Sequence, residues 1–279
     1  MANVTVATIA DGLEFPEGPA FDPDGNLWCV ELRGGRLTRA LPQEMDRHEA
    51  GGAPNGLTFD SKGRAWIANA ELRAIQRFDP ATQDFTTIVG TIEGEPLNRP
   101  NDLAFDALGN LLFTCPGSSG EEPSGYVCCL GPDGALARIG EGFHFPNGLA
   151  LVDGGSALVV AETQRARLWK GKWDAESRRW RDPQPWAELG DPAGPDGMAL
   201  GADGLLYVAI YSAGEVRAVD QDGRVTKAYE LPGNNPTNAA FDPSGRLGLV
   251  VTETERGVLL SLPELGPGVP LFDGGDAWD

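Results

Sequence analysis

One short phrase occurs six times along this chain, and few folds can accommodate it. Each copy has a proline, a polar residue, a small apolar run, a Gly-containing turn and a second apolar run. The copies open at Pro16-Glu17-Gly18, Pro54-Asn55-Gly56, Pro100-Asn101-Asp102, Pro146-Asn147-Gly148, Pro195-Asp196-Gly197 and Pro236-Thr237-Asn238. Their starts lie 38, 46, 46, 49 and 41 residues apart, so connecting loops vary around a constant unit.

Within a copy the residues read as two strands and a tight turn. Pro19-Ala20-Phe21 is followed by Asp22-Pro23-Asp24-Gly25 and then by Asn26 to Glu31. The later turns are Asp60 to Gly63, Asp106 to Gly109, Asp153 to Gly155, Ala202 to Gly204 and Pro243 to Gly245. Asp supplies side-chain hydrogen bonds there and Gly the positive φ. Trp28, Trp66, Phe113 and Tyr207 are expected at one equivalent position of the return strand. Further strand-like stretches follow each hairpin, among them Arg36 to Arg39, Ala74 to Phe78, Tyr126 to Leu130 and Glu215 to Val219.

Four strands in each unit predict an all-β, six-bladed β-propeller, with residues 1–279 as a single domain. A solenoid would need capping repeats, and none are evident. The last copy starts late, so Gly257 to Leu262 and Val269 to Phe272 only partly finish its blade. Val4 to Ile9 is the predicted outer strand that closes it and removes an exposed edge.

Pseudo-symmetry turns the phrase into a ring. The residue after each proline opens an innermost strand, which places Glu17, Asn55, Asn101, Asn147, Asp196 and Thr237 at the channel mouth. In any one copy, Pro-Asn-Gly reads more simply as a turn. Six oxygen-bearing side chains on one axis suit a hard cation better than they suit water alone. Neither His48 nor His144 belongs to the ring, which disfavours a usual zinc site. Calcium fits best, ahead of manganese, magnesium or an oxygen-rich zinc site. The return strands end near Glu31, Asn69, Cys115, Glu162, Tyr211 and Glu253. Most of these are expected to solvate the rim, with Tyr211 placed to cover a sugar-like ligand.

The 22 basic and 41 acidic residues give a formal charge of −19, a poor surface for nucleic acid or anionic membranes. Met1 to Asp11 lacks a basic start with a long apolar run, and no apolar run approaches a membrane span. Cys29, Cys115, Cys128 and Cys129 show no metal-ligand spacing and are expected to be reduced core residues. A cytoplasmic protein, monomeric by default, is the expectation. Gly-x-Ser-x-Gly is absent, as is a phosphate-cradling Gly-rich loop that opens a helix.

Four of the phrases carry a family resemblance: Glu17-Gly18-Pro19, Arg99-Pro100-Asn101-Asp102, Asn147-Gly148-Leu149 and Pro195-Asp196-Gly197-Met198. Their order is similar to that of the senescence-marker-protein, gluconolactonase and luciferin-regenerating family, over nearly the whole chain. The resemblance implies one divalent cation held at Glu17, Asn147 and Asp196. It makes Asn101 a substrate contact, or a further metal ligand as in calcium-dependent phosphotriesterase propellers. Arg99 matches the arginine that binds sugar-lactone hydroxyls, and Asp196 matches the family's proposed base. The chain departs from many bacterial relatives at Cys115, where they place Asp. The loop Ser118 to Ser124 corresponds to one that helps choose the substrate, with Glu121 or Glu122 as a substrate-binding residue.

The expected activity is metal-assisted opening of a lactone ring, with an aldonolactone as substrate and Asp196 deprotonating the attacking water. The alternatives are hydrolysis of a phosphotriester or another ester at the same cation, or a non-catalytic propeller that binds a ligand or protein.

Overall fold

Each proline phrase begins, or in the third copy immediately precedes, the innermost strand of an antiparallel sheet. A computed structural model describes residues 4–40, 44–117, 122–190 and 194–278. Blade 1 comprises Pro16–Phe21, Leu27–Glu31, Arg36–Ala40 and Met45–Glu49. Blade 2 comprises Pro54–Phe59, Ala65–Asn69, Ala74–Asp79 and Asp84–Val89, and blade 3 comprises Leu103–Phe105, Leu111–Cys115, Gly125–Leu130 and Leu136–Phe143. Blade 4 comprises Pro146–Val152, Ala157–Glu162, Arg167–Asp174 and Arg179–Glu188. Blade 5 comprises Gly194–Leu200, Leu206–Tyr211, Glu215–Val219 and Val225–Glu230. Blade 6 comprises Pro236–Phe241, Leu249–Glu253, Val258–Leu262 and, from the amino-terminal end, Ala7–Ala10. The six four-stranded sheets form the predicted β-propeller. Among the described residues, no helix is long and apolar enough to cross a membrane.

The turn chemistry is visible in the hydrogen bonds. Asp22 accepts the Asn26 N–H at 2.9 Å and the Trp28 indole N–H at 2.9 Å. Asp60 repeats the device with Arg64 and Trp66, at 3.0 and 2.9 Å. The phrase therefore couples its turn to the aromatic residue of the return strand. Blade 3 corrects one expectation. Ala20 pairs with Trp28 and Thr58 with Trp66, but the equivalent Ala104 pairs with Leu112, not Phe113. Alternation then sends Phe113 to the opposite sheet face, into a cluster with Trp66 and Phe105 between blades 2 and 3. In its stead, the Trp173 indole of blade 4 donates to Asp106 at 2.9 Å.

The closure is as expected in kind and shorter in extent. Ala7 and Thr8 pair with Ser261 and Leu260, while Val4 and Val6 pack against the blade without belonging to its strand. Val269 to Phe272, expected to help finish blade 6, instead leaves it. Gly268 bridges to Gly201, the Val269 N–H donates to Leu200 O at 2.9 Å, and the tail continues to blades 2 and 3. There Ser61 donates to Gly275 O at 2.6 Å and the Trp278 ring packs on Trp66. Val269 to Phe272 thus line the far end of a channel cavity of about 140 Å³, whose walls include Leu57, Leu103, Leu149 and Met198.

The inner strands approach one another too closely for most side chains at the phrase's third position. A Cβ on Gly148 would lie 2.3 Å from Asp196 O and 2.6 Å from Gly197 Cα, both backbone atoms. Gly148→Ala is therefore expected to destabilise the fold by about 3 kcal/mol or more, measured by denaturant unfolding. A stability within about 1 kcal/mol of the parent chain would refute this close approach.

Candidate metal centre and substrate mouth

The side chains after the prolines are buried. Glu17 and Asn147 are 4% exposed, Asn101 and Asp196 8%, so four oxygen-bearing groups are withdrawn from bulk water. Asn55 and Thr237 are buried with them. The Thr237 hydroxyl lies 2.8 Å from that of Thr252 and 3.2 Å from Pro16 O, and it also hydrogen-bonds the Glu17 carboxyl.

Two of the predicted ligands carry buried oxygens with no hydrogen-bond partner, Glu17 Oε2 and Asn147 Oδ1. Such atoms are costly to bury, and each needs an explanation. For Asn147 the orientation is fixed by its other end. Its Nδ2 donates to Thr163 Oγ1 at 3.1 Å, and that hydroxyl donates to Pro195 O at 2.7 Å. The amide oxygen is left as the free end.

The electrostatics give the same picture. Burial raises the Glu17 carboxyl well above its usual range, and the charges of Asp196 and then Asp102 raise it further. Asp196 is raised well above its usual range by burial and by Asp102, with the Gly197 N–H and the Asn147 amide acting against the shift. Three carboxyl groups from blades 1, 3 and 5 therefore oppose one another's ionisation, a cluster whose charge a cation would neutralise. Asp102 was not singled out from the sequence. Burial pushes its carboxyl up to about 6, against hydrogen bonds from the Leu103 and Leu149 N–H groups and from Asn238. The available signal was the phrase itself, which has Asp102 where four copies have Gly.

The donor set fits a hard divalent cation: carboxylate and amide oxygens, with neither histidine nor thiolate among the four. Among the described residues, no group of three or more His, Cys, Asp and Glu side chains forms a metal cluster. The fit consequently rests on amide oxygens as much as on carboxylates. The apolar cavity below the ring includes Asp102 but none of the four predicted ligands.

Arg99 is exposed and has a φ of 60°, directly before Pro100. Phe15 and Phe145 adopt the same left-handed backbone before Pro16 and Pro146, at 63° and 62°. These non-glycine residues are strained where the rim turns into the inner strands. Tyr211 ends the strand paired with the one bearing Asp196 and is partly exposed. Glu121 lies outside the described residues. His144 is a loop residue whose ring nitrogen lies 3.0 Å from the Arg165 guanidinium. All four cysteines are free and buried.

The second ring does not solvate the rim. Glu31, Asn69 and Glu253 are fully buried and Glu162 is nearly so. Each accepts a backbone N–H just before a phrase proline. Glu31 takes Glu14 at 2.8 Å, Asn69 takes Ala53 at 3.0 Å, Glu162 takes His144 at 2.7 Å and Glu253 takes Asn235 at 2.9 Å. Four loops are thus clamped by carboxylates or an amide, an assignment that needed the pairing register to see.

Six four-stranded blades, each opening with a buried oxygen-bearing residue after its proline, define the chain as a six-bladed β-propeller. The chain belongs to the SMP-30/gluconolactonase/LRE-like family, whose model matches residues 15–255. It is 27% identical to the diisopropyl-fluorophosphatase of Loligo vulgaris, over 89% of this chain and 88% of that one. It is 26% identical to a gluconolactonase of Zymomonas mobilis, over 88% and 78% of the two chains. Among solved structures, the calcium-binding regucalcin of Agrobacterium tumefaciens has a TM-score of 0.84 at 23% identity, covering 96% of this chain and 97% of that one. A gluconolactonase of Xanthomonas campestris has a TM-score of 0.81 at 26% identity, over 94% and 90% of the chains.

Proposed function

We propose that this chain is a hydrolase that opens a lactone ring, with one divalent cation, calcium by preference, held by Glu17, Asn147 and Asp196, and with Asn101 as a substrate contact. The observation that carries the reading is the pair of buried, unpartnered oxygens on Glu17 and Asn147, beside carboxyl groups that resist ionisation together. The lactonase relatives support the reaction class, and the calcium-binding neighbour supports the cation. When bound, a divalent cation supplies a Lewis acid for the carbonyl oxygen and charge neutralisation for the ring.

The protein's own groups do the rest. Asp196 accepts a proton from the attacking water, its carboxyl kept in place by the Gly197 N–H and the Asn147 amide. Arg99 and Asn101 bind the substrate's hydroxyls, and Tyr211 covers its apolar face. The products are a hydroxycarboxylate and a proton. A phosphotriester substrate is the second reading, favoured by the similarity to the fluorophosphatase.

Chelator-treated protein, supplied in turn with calcium, manganese, magnesium and zinc, tests these readings through proton release from a panel of aldonolactones and a phosphotriester. Cation-dependent opening of an aldonolactone is the expected result. Turnover of the phosphotriester alone would select the second reading. Cation binding with neither activity would make the propeller a binding module.

A further inference from the structure

Blades 3 and 5, with Cys115 and Tyr211, depart from the clamp that holds the other rim loops, and the loop of blade 3 carries both Arg99 and Asn101. Where blades 1, 2, 4 and 6 have Glu31, Asn69, Glu162 and Glu253, blade 3 has Cys115, fully buried. A thiol is a weak hydrogen-bond acceptor. Its cross-strand partner Tyr126 reaches the loop instead, and Tyr126 Oη accepts the Asn98 N–H at 2.9 Å. We propose that Tyr126 is the positioning residue of the substrate mouth, anchoring the backbone at Asn98 and so setting where Arg99 and Asn101 stand. The proposal rests on reading those two residues as substrate-binding groups.

Several contacts make Tyr126 a rigid anchor. It is 5% exposed, and the Arg138 guanidinium lies 4.4 Å from its ring centroid. Burial and the neighbouring Cys115 push its phenol well up, so the group keeps its O–H. On one side of Asn98, Leu97 is fully buried and its carbonyl accepts from Arg73 at 2.9 Å. On the other, the Gly117 N–H donates to Asn98 O at 3.2 Å, and Arg99 turns into its left-handed conformation. Without the phenol oxygen, the Asn98 N–H loses its partner immediately before that strained residue.

Tyr126→Phe tests the anchor, with Glu253→Gln as a control for general damage to a clamp in a blade that holds none of the proposed cation ligands or substrate contacts. The first readout is KM against kcat on a polyhydroxylated aldonolactone and on a lactone without hydroxyls. The second is hydrogen exchange of the amides of residues 97–101. Tyr126→Phe is expected to raise KM about 10-fold for the hydroxylated substrate alone, leave kcat within about 2-fold, and speed exchange at Asn98. Adding Cys115→Asn, which copies Asn69 of blade 2, is expected to restore KM and protection. Glu253→Gln is expected to lower the melting temperature without moving KM.

Equal KM changes on both lactones, unchanged exchange at 97–101, or no recovery in the double variant would overturn the proposal. If Tyr126→Phe does not fold, an unprotected Asn98 amide in the parent chain would overturn it equally. A parent chain that opens no lactone would sink the proposed function instead, and the exchange data would then decide the Tyr126 anchor by themselves.

Discussion

Asp196→Asn is expected to lower kcat by about 10²–10⁴-fold, the usual worth of a positioned general base, while leaving the propeller folded. The amide keeps an oxygen at the mouth and nearly the same shape, so much of the cation should remain. What it loses is the capacity to take a proton from water. In the cation-free protein Asp196 is buried and held near Asp102, which keeps its carboxyl well above the usual range. A bound divalent charge reverses that bias and leaves a carboxylate able to act as base at neutral pH. Proton-release rates at matched cation occupancy, measured beside calorimetric binding, separate the two roles. Turnover within about tenfold of the parent chain would move the base elsewhere.

Glu17→Gln is expected to have opposite effects with and without cation. Glu17 is buried, has an unpartnered Oε2 and is opposed by the charges of Asp196 and Asp102. Removing its charge relieves that repulsion, so the cation-free variant should melt higher than the parent chain. Removing one of two ligand carboxylates should weaken calcium binding by about 100-fold or more, so added calcium should raise the variant's melting temperature far less. The sign with pH follows from the raised carboxyls. For Asp102, a rise from 3.8 to about 6 makes ionisation in the fold cost about 3 kcal/mol. Stability present below pH 4 is lost as pH rises through about 6, and Glu17 and Asp196 act in the same direction. Calcium should therefore raise the parent chain's melting temperature more at pH 8 than at pH 5. A cation effect independent of pH, or a Glu17→Gln chain that melts lower without cation, would dismiss the cluster as a metal centre.

How much of this was legible in the chain differs from one ring to the other. The mouth ring was legible because its residues follow a repeated proline, and a repeat needs only symmetry to become a circle. Glu17, Asn101, Asn147 and Asp196 are all buried, as residues that open the innermost strands. The clamp ring was misread. An acidic residue ending a strand suggests a solvated rim, and only the fold shows Glu31, Glu162 and Glu253 buried against backbone N–H groups. Phe113 was misplaced by one position because an aromatic residue alone does not give pairing register, and one step changes the sheet face. The tail from Val269 was assigned to a blade because an apolar run looks alike as a strand or as a strap.

The order of residues alone determined the number of blades, the amino-terminal closure and which oxygen-bearing residue follows each inner-strand proline, since these are properties of a repeated local phrase. Tertiary structure decided which oxygens lack partners, which carboxyl groups oppose one another and how the Arg99 loop is held. Those depend on distances between blades, and no repeat within a single blade encodes them.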